Sequence, residues 1–374
     1  MFAYQPVRQH NGSDLWRKYL DSMENRVSKE KYAGDNSLVT DIPEVTSRCF
    51  QGEADYSLIL SILMQSAQAD QIIETASLKE IKRWCAPSDR FDPNKDILFA
   101  EVDNEGGESP VIGISRVSWY TGMKDTRLYS QTSYLLSEWR NQGIWPVMVR
   151  RNERRLRDIA ASHPFVHQRF FQAWATETQV KWISVLEGEG YHAVRHFHNM
   201  LHRLDVIPEQ DMPEGLQVRS VQTEHYRSIW EAQKEVNQEL FEYVGENWTE
   251  EKYQSWRANP SPTPQLWQVA WEGNQVAGMV LARIDEVENR DLKRKRGYTE
   301  HVFVRRPWRR RGLAKALVVR SLRVLKERGM EEGELGVDSE NESGAFGFYQ
   351  RLGYETFSTD IWFRKPMDMN LTAD

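Results

Sequence analysis

Two glycine landmarks recur along this chain at almost the same spacing, and no other feature constrains its fold as strongly. Gly143 of "RNQGI" and Gly312 of "RRRGL" lie 169 residues apart, and Gly190 of "GEGYHAV" and Gly353 of "RLGYETF" lie 163 apart. A repeat of that length is the size of a whole domain. The local order repeats as well: strand, basic loop and amphipathic helix, then a second helix running into a Gly-Tyr turn. The chain therefore reads as a duplicated domain, and its 374 residues are enough for two cores.

Residues 1–45 are polar and weakly patterned, and read as an N-terminal arm. Residues 46–205 form the first domain and 216–368 the second. The stretch 206–215, with Pro208, Pro213 and Gly215, is the linker between them. In the first domain the pattern predicts a strand at 47–50, a helix over 53–68, a Gly-rich hairpin over 96–119, a strand at 132–139 and an arginine-rich amphipathic helix after Gly143. The second predicts two strands around "EGNQ", a strand at 298–304, a helix after Gly312, the strand "EGELGVD" and the helix "GAFGFYQRLGYE". The fold class is α/β (α+β), each half a mixed, mostly antiparallel sheet flanked by helices.

The loop "RRPWRRRGLA", residues 305–314, carries five arginines before it turns into a helix. The first amides of a helix have no intrahelical acceptor, and the helix dipole adds positive potential there. Such a helix start can hold phosphate. Gly312 allows a ligand close to the backbone, and Ala314 is small for the same reason. The nucleoside-triphosphate loop needs G-x-x-x-x-G-K-[ST], and the dinucleotide fingerprint needs three spaced glycines; neither is present.

Arg309-Arg310-Arg311-Gly312-Leu313-Ala314 resembles the diphosphate-binding motif of the GNAT acyltransferase superfamily, [Q/R]-x-x-G-x-[G/A]. The later stretch "NESGAFGFYQRLGY" is similar to that superfamily's second signature, with Asn341, Ala345, Tyr349, Leu352, Gly353 and Tyr354 at the matching positions. Asn341 stands one residue further from Ala345 than in the commonest version. The tandem arrangement, with the intact motifs in the second half, resembles that of the mycothiol synthases.

The resemblance implies an N-acyltransferase that passes an acyl group, most simply acetyl, directly from coenzyme A to an amine, without a covalent enzyme intermediate. Acetyl-CoA or another acyl-CoA is then the co-substrate, held by residues 309–314, Asn341 and Ala345, with the strand edge Val302, Phe303 and Val304 along the pantetheine arm. Tyr349 is the implied acid that protonates the leaving thiolate. A base must deprotonate the amine, and the resemblance favours Glu300, with His301 as the alternative. Alternation places Glu300 with Val302 and Val304 on one face and His301 with Phe303 on the other. The other functional class open to the sequence is an acyl-CoA-binding sensor or scaffold without catalysis.

In the first half the matching loop is Arg140-Asn141-Gln142-Gly143-Ile144-Trp145 followed by Pro146, and Val185-Leu186 replaces the aromatic pair Phe348-Tyr349. A tryptophan where a small residue is needed would block or fill the phosphate cradle, so this copy reads as degenerate. The net charge of -6 and the abrupt Gly-Leu-Ala turn argue against nucleic acid as the partner of the arginines. The expected acceptor is a small-molecule or peptide amine entering near 240–256. No membrane partner, a monomer and a cytoplasmic location are expected, with Cys49 and Cys85 as buried free thiols. His192, His196, His198 and His202 would share a strand face, but no acid or cysteine completes a ligand set, so no metal is expected.

Overall fold

The computed structural model describes residues 45–72, 77–102, 109–122, 126–164, 166, 168–238, 248–258, 263–340 and 344–367. The expected N-terminal arm, apart from Val45, lies outside them. The chain divides into two compact units: among the described residues the first takes in 45–195 and 360–367, and the second 196–359. The passage from one to the other falls inside strands, after Arg195 and again after Thr359, and the loop 206–215 lies wholly in the second unit.

The first unit runs β1 (Val45–Cys49), α1 (Asp55–Ala69), α2 (Leu78–Trp84), α3 (Pro93–Asp96), β2 (Ile97–Val102), β3 (Val111–Thr121), β4 (Thr126–Leu135), α4 (Ile144–Ala161), β5 (Gln168–Thr176) and α5 (Val180–Gly188). The next strand, β6 (His192–Arg203), begins here and continues in the second unit. Strands β1 to β5 lie in sequence order, antiparallel except for the parallel pair β4–β5. Residues 360–366 add the last strand beside β5. The apolar stripe of α4 buries Ile144, Met148, Val149 and Leu156 against one sheet face, each such side chain contributing about 1.5–3 kcal/mol. The strand expected at 132–139 stops at Leu135, and Ser137–Trp139 is a 3-10 turn. Cys49 and Cys85 are free, but only Cys85 is buried; Cys49 is exposed on an edge strand.

Corresponding elements build the second unit: β7 (Gln217–Arg219), α6 (Tyr226–Asn237), α7 (Glu250–Ala258), β8 (Gln268–Glu272), β9 (Gln275–Ile284), α8 (Glu286–Asp291), β10 (Arg296–Val304), α9 (Leu313–Glu327), β11 (Glu332–Asp338), α10 (Ala345–Arg351) and the first part of β12 (Glu355–Pro366). The strand order is β6-β11-β10-β9-β8-β7, with β10–β11 parallel and β6–β11, β10–β9, β9–β8 and β8–β7 antiparallel. Helix α9 packs Leu313, Leu317, Leu322 and Leu325 on one face of this sheet. Helix α6 packs Ile229 and Ala232 on the other. Each unit is thus the mixed, mostly antiparallel α/β sheet that the sequence pattern implies.

Both parallel ladders are short. In the second unit β10 and β11 pair from Arg296↔Glu332 to Tyr298↔Glu334, yet β10 continues to Val304 and β11 to Asp338. In the first, β4 and β5 pair only as far as Ser130↔Gln172, although β4 runs on to Leu135 and β5 to Thr176. Beyond those points the two central strands part, each kept in the sheet by its outer neighbour. A helix N-terminus follows the longer arm of each fork.

Candidate active site

At the fork of the second unit β10 does not stay regular. Its pairing with β9 slips between Glu300↔Leu281 and Phe303↔Met279, and His301 takes up a left-handed φ of 47°. This bulge overturns the expected alternation. With one extra residue in the strand, Val302 and Val304 face the core under α9, whereas Phe303 turns to the core under α6. Glu300 falls on the side of Arg283, its cross-strand diagonal, which reaches Glu300 Oε1 at 3.1 Å from one nitrogen and 3.4 Å from another. Both bonds end on Oε1.

Gly312 has φ 83° and stands at the N-terminus of α9 with no side-chain cap. Within the helix the first backbone bond is Ala316 N–H to Gly312 carbonyl, at 3.1 Å. Among the described residues the amides of Gly312, Leu313, Ala314 and Lys315 have no backbone acceptor, so four N–H groups are left open at the start of the helix. A Cβ built on Gly312 would meet only Gln210 Nε2, at 3.9 Å.

Arg305, Arg309 and Arg311 turn back onto the protein. Arg305 binds Glu235 at 2.5 and 2.9 Å, Arg309 Nε binds the Val304 carbonyl at 2.9 Å, and Arg311 binds the Glu214 carbonyl at 3.0 Å. Arg310, at φ 61°, is exposed. Trp308 is buried and donates to Glu272 at 3.1 Å. These three side chains therefore brace the loop, beside the main-chain N–H groups of the helix start.

Tyr349 is 5% exposed on α10, with its ring 5.1 Å from Phe348 and 5.7 Å from Tyr354. Tyr354 in turn shares a hydrogen bond of 3.1 Å with Thr299, at the point where the fork opens, and burial pushes its phenol well up. The chain Tyr349–Tyr354–Thr299 ties α10 to β10, and sequence reading did not find it. Ala345 opens α10 and packs on the same core, after Gly344 at φ 67°. Asn341 lies outside the described residues, as do residues 240–247 of the expected acceptor stretch 240–256. Farther along that stretch, Glu250 is engaged by Arg227 at 2.6 Å, and Tyr253 and Trp256 stack with Trp230 at 5.7 and 5.5 Å.

Three of the four histidines of β6 have separate partners. His196 holds Glu340 at 3.0 Å, and such hydrogen bonds outweigh the burial that would raise this carboxyl, keeping it at about 2. His198 meets Thr359 at 3.2 Å and stacks on Phe346, while His202 is buried against Tyr354. Among the described residues no group of three or more His, Cys, Asp or Glu could hold a metal, and no helix is long and apolar enough to cross a membrane.

The first unit corrects one expectation. Gly143 is left-handed at φ 75°, matching Gly312, but Trp145 does not lie over the loop. It is 1% exposed and packs inward against Trp182 at 5.4 Å, and no atom comes within 4 Å of a Cβ placed at Gly143. Arg140 stacks 5.0 Å from the Trp145 ring and ends on Asp70 at 2.5 Å and Ser66 Oγ at 2.7 Å. The helix register decides this: Trp145 starts the buried stripe of α4, so the indole enters the core. Glu153 of that helix is 3% exposed, bound to Lys365 at 2.8 Å and to Arg157 at 3.2 Å.

A forked mixed sheet with a left-handed glycine opening a helix at the fork, built twice, defines a tandem acyltransferase-like fold. Residues 228–354 match the model of the Acetyltransferase (GNAT) family, and that stretch of the chain is similar to the GNAT acetyltransferases. It is similar to the N-alpha-acetyltransferase MAK3 of Arabidopsis thaliana, 32% identical over 91 residues, which are 24% of this chain and 45% of that protein. It is also similar to the mycothiol acetyltransferase of Streptomyces coelicolor, 27% identical over 176 residues, 46% of this chain and 53% of that protein. The chain thus spans about half the length of the curated relatives it matches. Among solved structures, a GCN5-related N-acetyltransferase from Sphaerobacter thermophilus superposes with a TM-score of 0.66 at 25% identity, covering 86% of this chain and 95% of that one. A tandem GNAT protein from the clavulanic acid biosynthesis pathway shares the fold, with a TM-score of 0.56 at 14% identity, 86% of this chain and 98% of that one.

Proposed function

We propose that this protein is an acyl-CoA-dependent N-acyltransferase, acetyl-CoA being the simplest donor, and that its reaction takes place at the fork of the second unit. The observation that carries this reading is the set of four amides from Gly312 to Lys315 left without a backbone acceptor. A diphosphate docked there meets donors already oriented, at no cost in side-chain entropy. The β10 edge at Val302, Phe303 and Val304 borders the opening of the fork, where the amides of a pantetheine arm can pair with a strand.

The amine nitrogen attacks the thioester carbonyl carbon, the C–S bond breaks, and the Tyr349 phenol gives its proton to the departing thiolate. An ordinary phenol, with a pKa near 10, suits a thiolate of similar basicity. The amine's proton passes to Glu300, whose Oε2 has no recorded partner among the described residues, with His301 as the alternative. The acceptor is a small-molecule or peptide amine. In the first unit Pro146 lacks the N–H that Lys315 supplies, and Val185-Leu186 offer no phenol; both favour a silent copy.

Thiol release from acetyl-CoA, measured against a panel of amines, tests this. At least one amine should accelerate release, and Tyr349→Phe should lower kcat by about 100-fold or more with little change in KM for the donor. If no amine accelerates release while coenzyme A still raises the unfolding midpoint, the chain is a cofactor sensor and the catalytic reading falls.

A further inference from the structure

The first unit contains a buried positive charge with no counter-ion. Arg116 of β3 is half-buried, with its guanidinium carbon 4.0 Å from the centre of the Phe91 ring and 5.1 Å from that of Trp84. Its one recorded polar contact is a long 3.4 Å approach to Ser118 Oγ, and its Nε has no partner. No carboxylate among the described residues lies within ion-pair distance of it. Asp96, whose field it feels, is already taken by Arg155 at 2.9 Å and the Asp92 amide at 2.8 Å. Burial pushes this guanidinium down to about 10.

Its surroundings on the sheet are hydroxyls. Across the β3–β4 ladder Arg116 faces Thr132 and Ser118 faces Ser130, so the four side chains share one sheet face. Gln131 and Ser133 point the other way, to Asn152 of α4 at 3.0 and 3.2 Å. Ser130 is 3% exposed, and its hydroxyl has no partner. An unpaired buried hydroxyl beside an unpaired guanidinium is a costly pairing of defects for a structural core.

We propose that this face of the first unit binds the carboxylate of a small organic acid, with Arg116 as anchor and the hydroxyls of Ser118, Ser130 and Thr132 as further donors. The rings of Phe91 and Trp84 lie against the guanidinium, and its planar fork of N–H groups matches a planar carboxylate. One positive charge balances one negative charge. A dianionic phosphate would leave an excess charge among neutral hydroxyls. The site is independent of the acyl transfer assigned to the second unit.

Thermal unfolding of the full chain in sodium acetate, lactate or benzoate, against phosphate and chloride at equal ionic strength, provides the test. At least one carboxylate should raise the midpoint saturably, by roughly 3–6 °C at tenfold excess over its Kd. Arg116→Met should abolish the rise without lowering the midpoint in chloride, because it removes a charge that the fold alone does not pair. If that variant does not fold, Arg116→Lys, which keeps the charge but loses the fork, should lose most of the rise. The midpoint shift given by coenzyme A should be the same in all three proteins, which separates this site from the transferase reading. An equal carboxylate response in Arg116→Met, no response to any of the three acids, or a larger response to phosphate that Arg116→Met abolishes would overturn the proposal.

Discussion

Gly312 holds a φ of 83° at the mouth of α9, and the space beside its Cα is empty of protein up to Gln210 Nε2 at 3.9 Å. A methyl group there would collide with little in the chain itself, but it would occupy the position where a diphosphate has to sit. Gly312→Ala should therefore cost only about 1–2 kcal/mol through the left-handed backbone, while raising the KM for acyl-CoA by an order of magnitude or more. Arg309→Met and Arg311→Met should change that KM only a few-fold, because both side chains are already spent on the carbonyls of Val304 and Glu214. A large effect in the arginine variants with a small one in Gly312→Ala would mean that side chains grip the ligand. The glycine, the basic run and the helix start were legible in the sequence. Which way each arginine turns was not, since its acceptors are carbonyls and acids remote in the chain. Trp145 shows the same limit: its residue type suggested an obstruction, but its place on the helix stripe sent it into the core.

Strand β9 shows how an element shapes the site. At Gly278 a Cβ would come within 2.7 Å of the Phe303 carbonyl, and at Gly113, the matching position of β3, within 2.9 Å of the Tyr134 carbonyl. Strands β9 and β3 each thus have a place where the neighbour approaches too closely for any side chain, opposite the end of the fork's longer arm. Since a backbone must move to admit the methyl, Gly278→Ala and Gly113→Ala should each lose about 1–3 kcal/mol of stability in urea unfolding. Only Gly278→Ala should also alter the KM for acyl-CoA, because it displaces the Phe303–Val304 edge. Equal effects of both variants on transfer would detach that edge from catalysis. Isolated glycines inside strands were a readable warning of close approach. The bulge at His301 was not readable, because "EHVFV" alternates acceptably in either register, and the slip is set by the pairing with β9. That slip is why Glu300 sits beside Arg283 and not on the face of Val302 and Val304.

For the whole molecule, composition and pairing divide the chain differently. Two prolines, acids and a glycine mark 206–215 as a loop, and local pattern can say no more. Unit membership is decided by pairings far apart in sequence: Trp362 lies opposite Trp174, Phe363 opposite Ala173, and Lys365 reaches the buried Glu153. A cut inside 206–215 therefore leaves an N-terminal fragment without residues 360–366. Its β5 edge is then unpaired, and Glu153 keeps only Arg157 as a charged partner. The complementary fragment loses residues 197–203, which pair along the whole of β11. Neither fragment should unfold cooperatively alone by circular dichroism in urea, and the N-terminal one should aggregate through its bare edge. The two fragments produced together should instead co-purify with an unfolding transition near that of the intact chain, since every pairing is then present without the covalent link. A fragment 45–205 that melts cooperatively on its own, at the midpoint of the intact protein, would show that the terminal strand is dispensable to the first unit's core.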